Sequence, residues 1–379
     1  MKIKVITRHA PSNYGSLLQS IATIKVMEGM GHDCEIIDYQ RSDERGLSGV
    51  LTQLRQKDGY GNPIKRLAYI ALRYPIEKYA QMKFDSMREK YLKKTARCSN
   101  HEDLKRLKAD AFITGSDQVW GPMMNGRYDS AYFLQFVSPG SKKLAYAASF
   151  GKTKFDEQTI SDYKSMLAGY DKIAVREKSA VELIDGWGLK NCVGQVLDPT
   201  LLLNKEEWKG LLVKESDTDK YKNRKYILVY QIHNDPKLSD YAKRLASHTG
   251  MELLRVNPML HQKSRGGKFI CCPDLGEFLS LIDNASCIVT DSFHGTCFAI
   301  NFGKQFIEIL PNNATGTRNQ SILDLTGLLG RILRDLDDFS LVEESIDYAK
   351  VWQILVEERK KSLERLKDLF YLIINFICR

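Results

Sequence analysis

Residues 285–304, ASCIVTDSFHGTCFAINFGK, place the side chain of His294, which can transfer protons, at the start of a predicted helix. The apolar, β-branched letters CIVT favour a buried strand, and 296–302 favour a helix. Ser292, His294 and Gly295 therefore lie where a strand ends and a helix begins. Helix N-termini attract anions, and histidine exchanges protons near neutral pH. The stretch predicts an anion site beside an acid or base; a core histidine next to a tight turn is the alternative.

Polar or charged side chains also follow several other predicted strands. They are Asn13 and Gly15 after strand 2–7, Asp117 and Gln118 after 111–114, Ser149 after 143–148, and Arg176 after 171–175. Asn, Ser and Asp are common in turns and helix caps without any catalytic or binding role. Arg176 is harder to explain in that way, because the dipole at a helix start disfavours a cation. A guanidinium group there suits an anionic ligand.

The elements that position these residues alternate between strands and helices in two runs. The first run opens with a β-α-β unit, and the second restarts with a strand at 226–231, so both predict parallel sheets in an α/β fold. The polar, charged letters of 214–224, KESDTDKYKNR, are typical of a linker. We therefore expect a first domain over 1–213 and a second over 225–345. Ligands of such sheets bind at the carboxyl ends of strands, so the cleft between the domains is the expected site.

Two segments fall outside this alternation. Residues 42–100 predict a helical arm in the first domain, with helices over 64–72 and 76–92 separated by Pro75, and hold thirteen Lys or Arg against six Asp or Glu. This excess could attract an anionic substrate, nucleic acid or membrane, but no nucleic-acid-binding signature accompanies it, and a solvated helical face is the simpler reading. Residues 346–379 predict a C-terminal helix whose apolar end, LFYLIINFIC, is too short to span a bilayer. We expect it to pack back on the first domain; contact with a membrane surface is the alternative.

Composition excludes several classes of protein. The chain has 379 residues, of which 43% are hydrophobic, enough for two domains. It lacks a long apolar segment and a secretory signal pattern, so we expect a cytoplasmic protein. Its eight cysteines show neither CxxC nor zinc spacing, and we expect no metal site. The loops also lack GxGxxG and GxxxxGK[ST], so neither dinucleotide nor Walker-type binding is predicted.

Six short motifs together resemble the polysaccharide pyruvyl transferases over nearly the whole chain. They are 13–15 (NYG) followed by Gln19, 115–120 (GSDQVW), 146–151 (YAASFG), 176–179 (REKS), 198–200 (DPT) and 291–295 (DSFHG). One such motif would be weak, but six in this order are specific. The resemblance implies a GT-B-like architecture, with two Rossmann-like domains facing across a cleft and a last helix that crosses back to the first domain.

The resemblance also implies a reaction and roles for the residues. The family transfers the enolpyruvyl-derived group of phosphoenolpyruvate to a sugar, usually as a cyclic pyruvate ketal, with release of phosphate and without a metal or other cofactor. His294 matches the family's catalytic histidine, and Arg176 matches an arginine that binds the donor. On this reading Ser292, Gly295 and Arg318 are further donor-side residues. The first domain would contribute acceptor-side residues, namely Asn13, Gly15, Asp117, Gln118 and Ser149.

We therefore expect a pyruvyl transferase that acts on a sugar of a cell-surface polysaccharide or on its lipid-linked oligosaccharide precursor. Its basic arm could contact the inner face of the membrane, and no nucleic-acid partner is expected. A GT-B nucleotide-sugar glycosyltransferase is the alternative, although no acidic pair for a ribose follows Asp291. A non-catalytic sugar-binding protein is a third reading, which the presence of both His294 and Arg176 disfavours. Whether His294 acts as an acid or a base stays open.

Overall fold

The computed structural model describes residues 1–41, 43–44, 46–55, 62–123, 126–311 and 316–371, which form two parallel sheets flanked by helices. The first sheet contains β1 (Lys2–Ile6), β2 (Asp33–Ile36), β3 (Ala111–Thr114), β4 (Lys142–Ala148), β5 (Lys172–Val175) and β6 (Cys192–Gln195). The second contains β7 (Tyr226–Tyr230), β8 (Glu252–Asn257), β9 (Lys268–Cys271), β10 (Cys287–Thr290) and β11 (Phe306–Glu308). The expected α/β fold with two Rossmann-like domains is confirmed.

In the first sheet the strand order is β2-β1-β3-β4-β5-β6. The central strand β3, AFIT, is buried along its whole length, as expected for a parallel sheet covered by helices on both faces. The order of connection reverses between β1 and β3. This switch point opens a crevice at the carboxyl ends of the two strands, where open α/β sheets bind ligands.

In the second sheet the order is β11-β10-β7-β8-β9, and the switch point falls between β7 and β10. Both strands are buried along their whole length, because the apolar letters YILVY and CIVT lie between two helical layers. The segments that follow β7 and β10 therefore define the crevice of this domain. The two crevices belong to different sheets, so their relative position depends on how the domains pack.

Longer connections between the strands are helical. The helices are α1 (Tyr14–Gly29), α2 (Gly46–Arg55), α3 (Pro63–Tyr91), α4 (His101–Lys105), α5 (Glu157–Leu167), α6 (Lys178–Gly186), α7 (Pro199–Leu202), α8 (Lys205–Leu212), α9 (Glu215–Asp219), α10 (Pro236–Thr249), α11 (Leu275–Asn284), α12 (Phe293–Asn301), α13 (Gly316–Leu325) and α14 (Tyr348–Phe370). In the described part of the chain, no helix is both long and apolar enough to cross a membrane.

The arm differs from the prediction at Pro75. Its second part is one continuous helix, α3, with Pro75 inside it, so the predicted break there is wrong. Proline removes one backbone N–H group and usually kinks or ends a helix. Here the C-terminal half of α3 buries Phe84 and Met87, and this packing outweighs the local penalty. The arm also contains α2, which the sequence pattern did not predict; residues 42, 45 and 56–61 of the predicted arm lie outside the described residues.

The stretch 214–224 is more ordered than a linker composition suggests. It contains α9, and Ser280 of α11 donates a hydrogen bond to the carbonyl oxygen of Asp217 at 2.7 Å. Tyr221 in turn donates to the carboxylate of Glu277 at 2.6 Å. The connection between the two sheets is therefore anchored to the second domain.

Helix α14 runs from the second domain to the first. The Tyr348 hydroxyl bonds to the carbonyl oxygen of Lys304, and the Ser362 hydroxyl accepts the backbone N–H of Leu197 at 3.0 Å. Near its end, the Lys142 ammonium reaches the carbonyl oxygen of Phe370. The helix thus ties the two sheets together. Most of the apolar end that prompted the membrane alternative, residues 372–379, lies outside the described residues.

Candidate active site

A cavity of about 190 Å³ lies where the carboxyl ends of the two sheets meet. The first domain contributes residues that follow the switch-point strands β1 and β3, and the second contributes residues that follow β7 and β10 together with Arg318, which follows β11. The polar or charged lining residues are Arg8, Asn13, Ser16, Asp117 and Gln118 from the first domain and His233, Ser292, His294 and Arg318 from the second. Domain packing thus joins two crevices into one site that carries anion-binding and proton-transferring groups.

The packing that closes this cavity centres on the start of α1. The ring of Tyr14 stacks on Phe278 of the second domain with centroids 4.1 Å apart, and its hydroxyl donates to the carbonyl oxygen of Pro273 at 2.8 Å. Asn13 caps α1, since its side chain accepts the N–H of Ser16 at 3.2 Å. The first turn of α1 therefore lies directly against the second domain, next to α12.

His294 lies in the first turn of α12, in contact with both domains. A Cβ atom added to Gly15 would lie only 2.1 Å from the His294 Nδ1, so the imidazole packs against a helix surface that only glycine leaves open. Its Nε2 is 3.6 Å from Oδ2 of Asp198. That separation exceeds a hydrogen bond, but such contacts are often long in a ligand-free enzyme and shorten in the complex. Gly15 and Asp198 thus hold the imidazole from two sides.

Asp198 is the hub of a buried polar network behind His294. Its Oδ2 accepts hydrogen bonds from the Ser116 hydroxyl at 2.6 Å and from Nη1 of Arg176 at 3.1 Å. Its Oδ1 caps α7 by accepting the N–H of Thr200 at 2.9 Å. Burial opposes ionisation of this carboxyl, but the charges of His294 and Arg176 and the hydrogen bonds from Arg176 and Ser116 hold its pKa well below the usual range. The carboxylate is placed to orient the His294 ring.

Arg176 serves this network more than it faces the cavity. Its Nε donates to Glu177 at 2.9 Å, and its guanidinium carbon lies 4.1 Å from the centroid of the Phe293 ring. Arg176 is not among the residues that line the cavity. Its Nη2 is buried and has no hydrogen-bond partner among the described residues. Arg176 therefore positions Asp198 and keeps one N–H donor group unused.

The cations that line the cavity are Arg318 and Arg8. Arg318 lies in the first turn of α13, and its guanidinium donates to the side-chain oxygen of Gln118 at 2.7 Å when that amide is oriented to suit both partners. Arg8 follows β1 and donates from Nε to Glu44 at 2.7 Å. The position of Arg8 just after a strand was a signal in the sequence that could have identified it, yet it was not among the predicted residues.

Asp117 lies between these cations with a constrained backbone. Its φ of 77° is in the left-handed region that few residues other than glycine adopt, and its Oδ2 accepts the Ser16 hydroxyl at 2.8 Å. Burial alone would raise the pKa of Asp117, but the positive charges of Arg8, His294, Arg176 and Arg318 lower it to about 2. The carboxylate is therefore a fixed negative charge among the arginines. Strained backbone of this kind is common at functional sites.

Glu308 at the end of β11 links the helices that carry His294 and Arg318. Its carboxyl group hydrogen-bonds with the Thr296 hydroxyl of α12 and with Nδ2 of Asn319 of α13. Because the site is buried, the pKa of Glu308 is raised to about 8. A neutral carboxyl group thus connects the two helices beneath the cavity.

Several predicted site residues have structural tasks in this arrangement. Ser292 lines the cavity but also caps α12, where its hydroxyl accepts the N–H of Gly295 at 3.2 Å, so that N–H group is already bonded. A Cβ atom on Gly295 would lie 2.4 Å from the Thr290 hydroxyl oxygen, so glycine is needed there for packing. Ser149 is buried outside the cavity lining, and its hydroxyl accepts the N–H of Gly151 at 3.1 Å. Among the described residues that line the cavity, Arg8 and Arg318 are the cations that could bind an anion, and the anion site at the start of α12 stays a prediction.

A second, much larger groove of about 1020 Å³ lies between the arm and the second domain. Asn13 and Ile232 line both spaces, so the groove adjoins the small cavity. Its charged lining residues are Lys65, Arg73 and Arg265, and no carboxylate lines it within the described part of the chain. The small cavity therefore opens toward a groove that suits a larger, negatively charged ligand.

Comparison with known families decides which class of enzyme carries this site. The family model for polysaccharide pyruvyl transferase matches residues 13–313. The chain belongs to the polysaccharide pyruvyl transferase family. It is therefore a transferase, as its six motifs predicted, and the matched range begins at Asn13 and includes both Arg176 and His294. A comparison with curated protein sequences found no match.

Solved structures similar to this pyruvyl transferase are GT-B enzymes of sugar metabolism. They include the S. aureus MnaA–UDP structure (16% identity, TM-score 0.51, covering 97% of this chain and 94% of that one). The UDP-GlcNAc 2-epimerase of Methanocaldococcus jannaschii, bound to UDP-GlcNAc and UDP, is 15% identical (TM-score 0.52, covering 97% of this chain and 99% of that one). Arabidopsis thaliana UGT89C1 with UDP-L-rhamnose is 9% identical (TM-score 0.54, covering 98% of this chain and 99% of that one). At these identities the likeness shows the fold alone, and it confirms the GT-B-like architecture.

Proposed function

We propose that this pyruvyl transferase moves the enolpyruvyl-derived group of phosphoenolpyruvate onto two hydroxyl groups of a sugar, forming a pyruvate ketal and releasing phosphate. The observation that carries the proposal is the small cavity, where Arg8 and Arg318 face the imidazole of His294. Phosphoenolpyruvate has a phosphate and a carboxylate, and two guanidinium groups suit two such anions. The cavity volume of about 190 Å³ suits a donor of this small size.

The reaction needs proton transfers at defined atoms. A proton added to the methylene carbon C3 makes C2 electrophilic, and a sugar hydroxyl attacks C2 as it loses its own proton. The bond between C2 and the bridging oxygen of the phosphate then breaks, and the phosphate leaves with the electron pair and a proton. A second hydroxyl closes the ketal with loss of its proton. His294, oriented by Asp198, is placed to transfer protons in this sequence, and the arginines stabilise the charge of the departing phosphate.

The groove is the proposed site of the acceptor. Its volume of about 1020 Å³ far exceeds what phosphoenolpyruvate needs, and it adjoins the small cavity at Asn13 and Ile232. Its three cations suit an acceptor with a negatively charged group, such as the diphosphate of a lipid-linked oligosaccharide of cell-surface polysaccharide synthesis.

The outer part of the arm supports an acceptor of this kind. Ile64, Leu67 and Leu72 of α3 each expose more than two thirds of their surface, and Lys65 and Arg66 lie between Ile64 and Leu67 in sequence. Apolar and basic side chains together are typical of a helix that lies on an anionic membrane surface. These side chains support the proposal that the enzyme works in the cytoplasm, with the arm in peripheral contact with the membrane where a lipid-linked acceptor is held.

Binding of the donor tests the proposal. Phosphoenolpyruvate should bind the wild type in calorimetry, and Arg318→Ala should weaken this affinity at least about tenfold, because a charge-assisted contact is lost. Arg106, on the surface and 80% exposed in its side chain, provides the matched control Arg106→Ala, which should bind as the wild type does. Binding of UDP-sugars but not of phosphoenolpyruvate would reject the proposal and favour the glycosyltransferase alternative.

Activity gives the second test. Wild-type enzyme should release phosphate from phosphoenolpyruvate in the presence of at least one sugar of a panel of hexoses, N-acetylhexosamines and their lipid diphosphates. His294→Asn should reduce this rate by about 10²–10⁴-fold, the usual contribution of general acid–base catalysis. A folded His294→Asn variant that turns over at the wild-type rate would exclude the role assigned to His294.

A further inference from the structure

His233 lies at the switch point of the second sheet, in the wall of the cavity that also holds His294. It follows β7, and Asp291 comes directly after the adjacent strand β10. The Asp291 carboxylate accepts the backbone N–H groups of Ile232 at 2.7 Å and of His233 at 3.0 Å. Its Oδ2 is also 3.4 Å from Nδ1 of His233, whose side chain is 25% exposed. The cavity is therefore lined by a second imidazole held beside a carboxylate.

The stoichiometry of the proposed reaction, on which this inference rests, involves four proton transfers. C3 gains one proton and the leaving phosphate gains another, while each of the two sugar hydroxyls loses one. C3 accepts its proton on one face of the planar enol, whereas the bridging oxygen of the phosphate lies in that plane. Two imidazoles at different points of the cavity wall can serve these two positions separately.

The other titratable groups of the cavity do not fit this task. Among the described residues that line it besides the two histidines, these are Arg8, Arg318 and Asp117. Arginine holds its proton throughout the neutral range. Asp117 has a pKa of about 2, far too low to hold a proton at neutral pH. An imidazole has the matching range. On the groove side, the guanidinium of Arg265 bonds to Asn234, the residue after His233, and adds a further positive charge.

We infer that His233 is the second proton-transfer residue of this enzyme. Protonated His233 gives its proton to C3 of phosphoenolpyruvate, while neutral His294 takes the proton of the first attacking hydroxyl. Protonated His294 then gives that proton to the departing phosphate, beside the arginines, and neutral His233 takes the proton of the second hydroxyl. Four transfers thus return both imidazoles to their starting forms, and every proton is accounted for within the reaction.

Kinetics of His233→Asn, measured with the sugar of the panel that gives the wild type its fastest phosphate release, test the inference. The variant should lose about 10²–10⁴-fold in kcat with little change in the affinity for phosphoenolpyruvate. The wild-type rate should fall at both low and high pH. His233→Asn should lose the fall at high pH, because that fall reflects deprotonation of the acid. His294→Asn should lose the fall at low pH, because that fall reflects protonation of the base. His248→Asn, on the exposed surface of α10, is the matched control and should behave as the wild type does.

Chemical rescue separates a catalytic role of His233 from a structural one. Added imidazole should restore at least about tenfold of the activity lost in His233→Ala, because a free imidazole can replace the missing side chain as proton donor. Wild-type-like kinetics of His233→Asn, or a loss with an unchanged pH profile and no rescue, would overturn the inference while leaving the proposed function intact. A wild type that releases no phosphate with any sugar would overturn both.

Discussion

The contact between Gly15 and His294 makes a sharp prediction about Gly15→Ala. The new Cβ atom would lie 2.1 Å from Nδ1 and 2.3 Å from Cγ of the imidazole, whereas ordinary contacts begin near 3.4 Å. The ring must therefore retreat by roughly 1 Å, and a displacement of that size costs about 100-fold in rate. Overpacking also costs about 1–3 kcal/mol of stability. An alanine in place of glycine would by itself favour the helix by up to about 1 kcal/mol, so steric and helical effects oppose each other.

The matched control is Gly29→Ala at the other end of α1, where a Cβ atom would meet nothing within 4 Å. This variant should keep full activity and equal or slightly raised thermal stability, because only the helical effect applies. Phosphate release and thermal unfolding of both variants provide the comparison. A Gly15→Ala enzyme with wild-type kcat and no loss of Tm relative to Gly29→Ala would refute the packing described for His294.

Three further predictions concern charge. Asp117 has a folded pKa of about 2 against an ordinary 3.8, so its ionised carboxylate should stabilise the fold above pH 4. As the pH falls toward 2, the free energy of unfolding of the wild type should drop by about 2 kcal/mol more than that of Asp117→Asn. Equal drops would contradict the charge network. Glu308 has a pKa of about 8 in the folded protein against an ordinary 4.5, so the stability of the wild type should fall between pH 5 and 8. The stability of Glu308→Gln should change little over this range. A parallel fall in both proteins would show that Glu308 is not the cause. Arg265→Ala should raise the KM for a lipid-diphosphate acceptor about tenfold and leave phosphoenolpyruvate binding unchanged, and the opposite pattern would reject the acceptor groove.

Local patterns in the sequence were sufficient for the elements and for part of the site. Apolar runs such as CIVT, bounded by polar turns, predict buried strands, and strand ends pointed to His294, Asp117 and Gln118, all of which line the cavity. Asn13 lines it as well, while it caps α1. These residues come together because in a parallel sheet the carboxyl ends of all strands lie at one edge. Their roles in binding and catalysis stay predictions.

The order of strands depends on long-range pairing, which no local pattern reveals. The switch points, and with them the position of His233 beside Asp291, appear only once β7 lies next to β10. The partnership of Asp198 with His294 crosses the domain interface, and the sequence analysis identified Asp198 only as part of the motif DPT. From the sequence, Arg176 was expected to bind an anionic ligand through its guanidinium group. Its ion pairs with the buried carboxylates of Glu177 and Asp198 become visible only in the folded structure. The predicted helix break at Pro75 is wrong for a related reason, because tertiary packing overrides local propensity.

The most direct test of the proposed reaction follows a label from donor to acceptor. Phosphoenolpyruvate labelled with ¹³C at C2 and C3 is incubated with the wild-type enzyme and the sugar panel, and the products are followed by carbon and phosphorus NMR. The account predicts that the label appears as a ketal carbon and its methyl group on the sugar, with one phosphate released for each ketal formed. Label that stays on phosphoenolpyruvate, while the enzyme consumes a UDP-sugar instead, would contradict it.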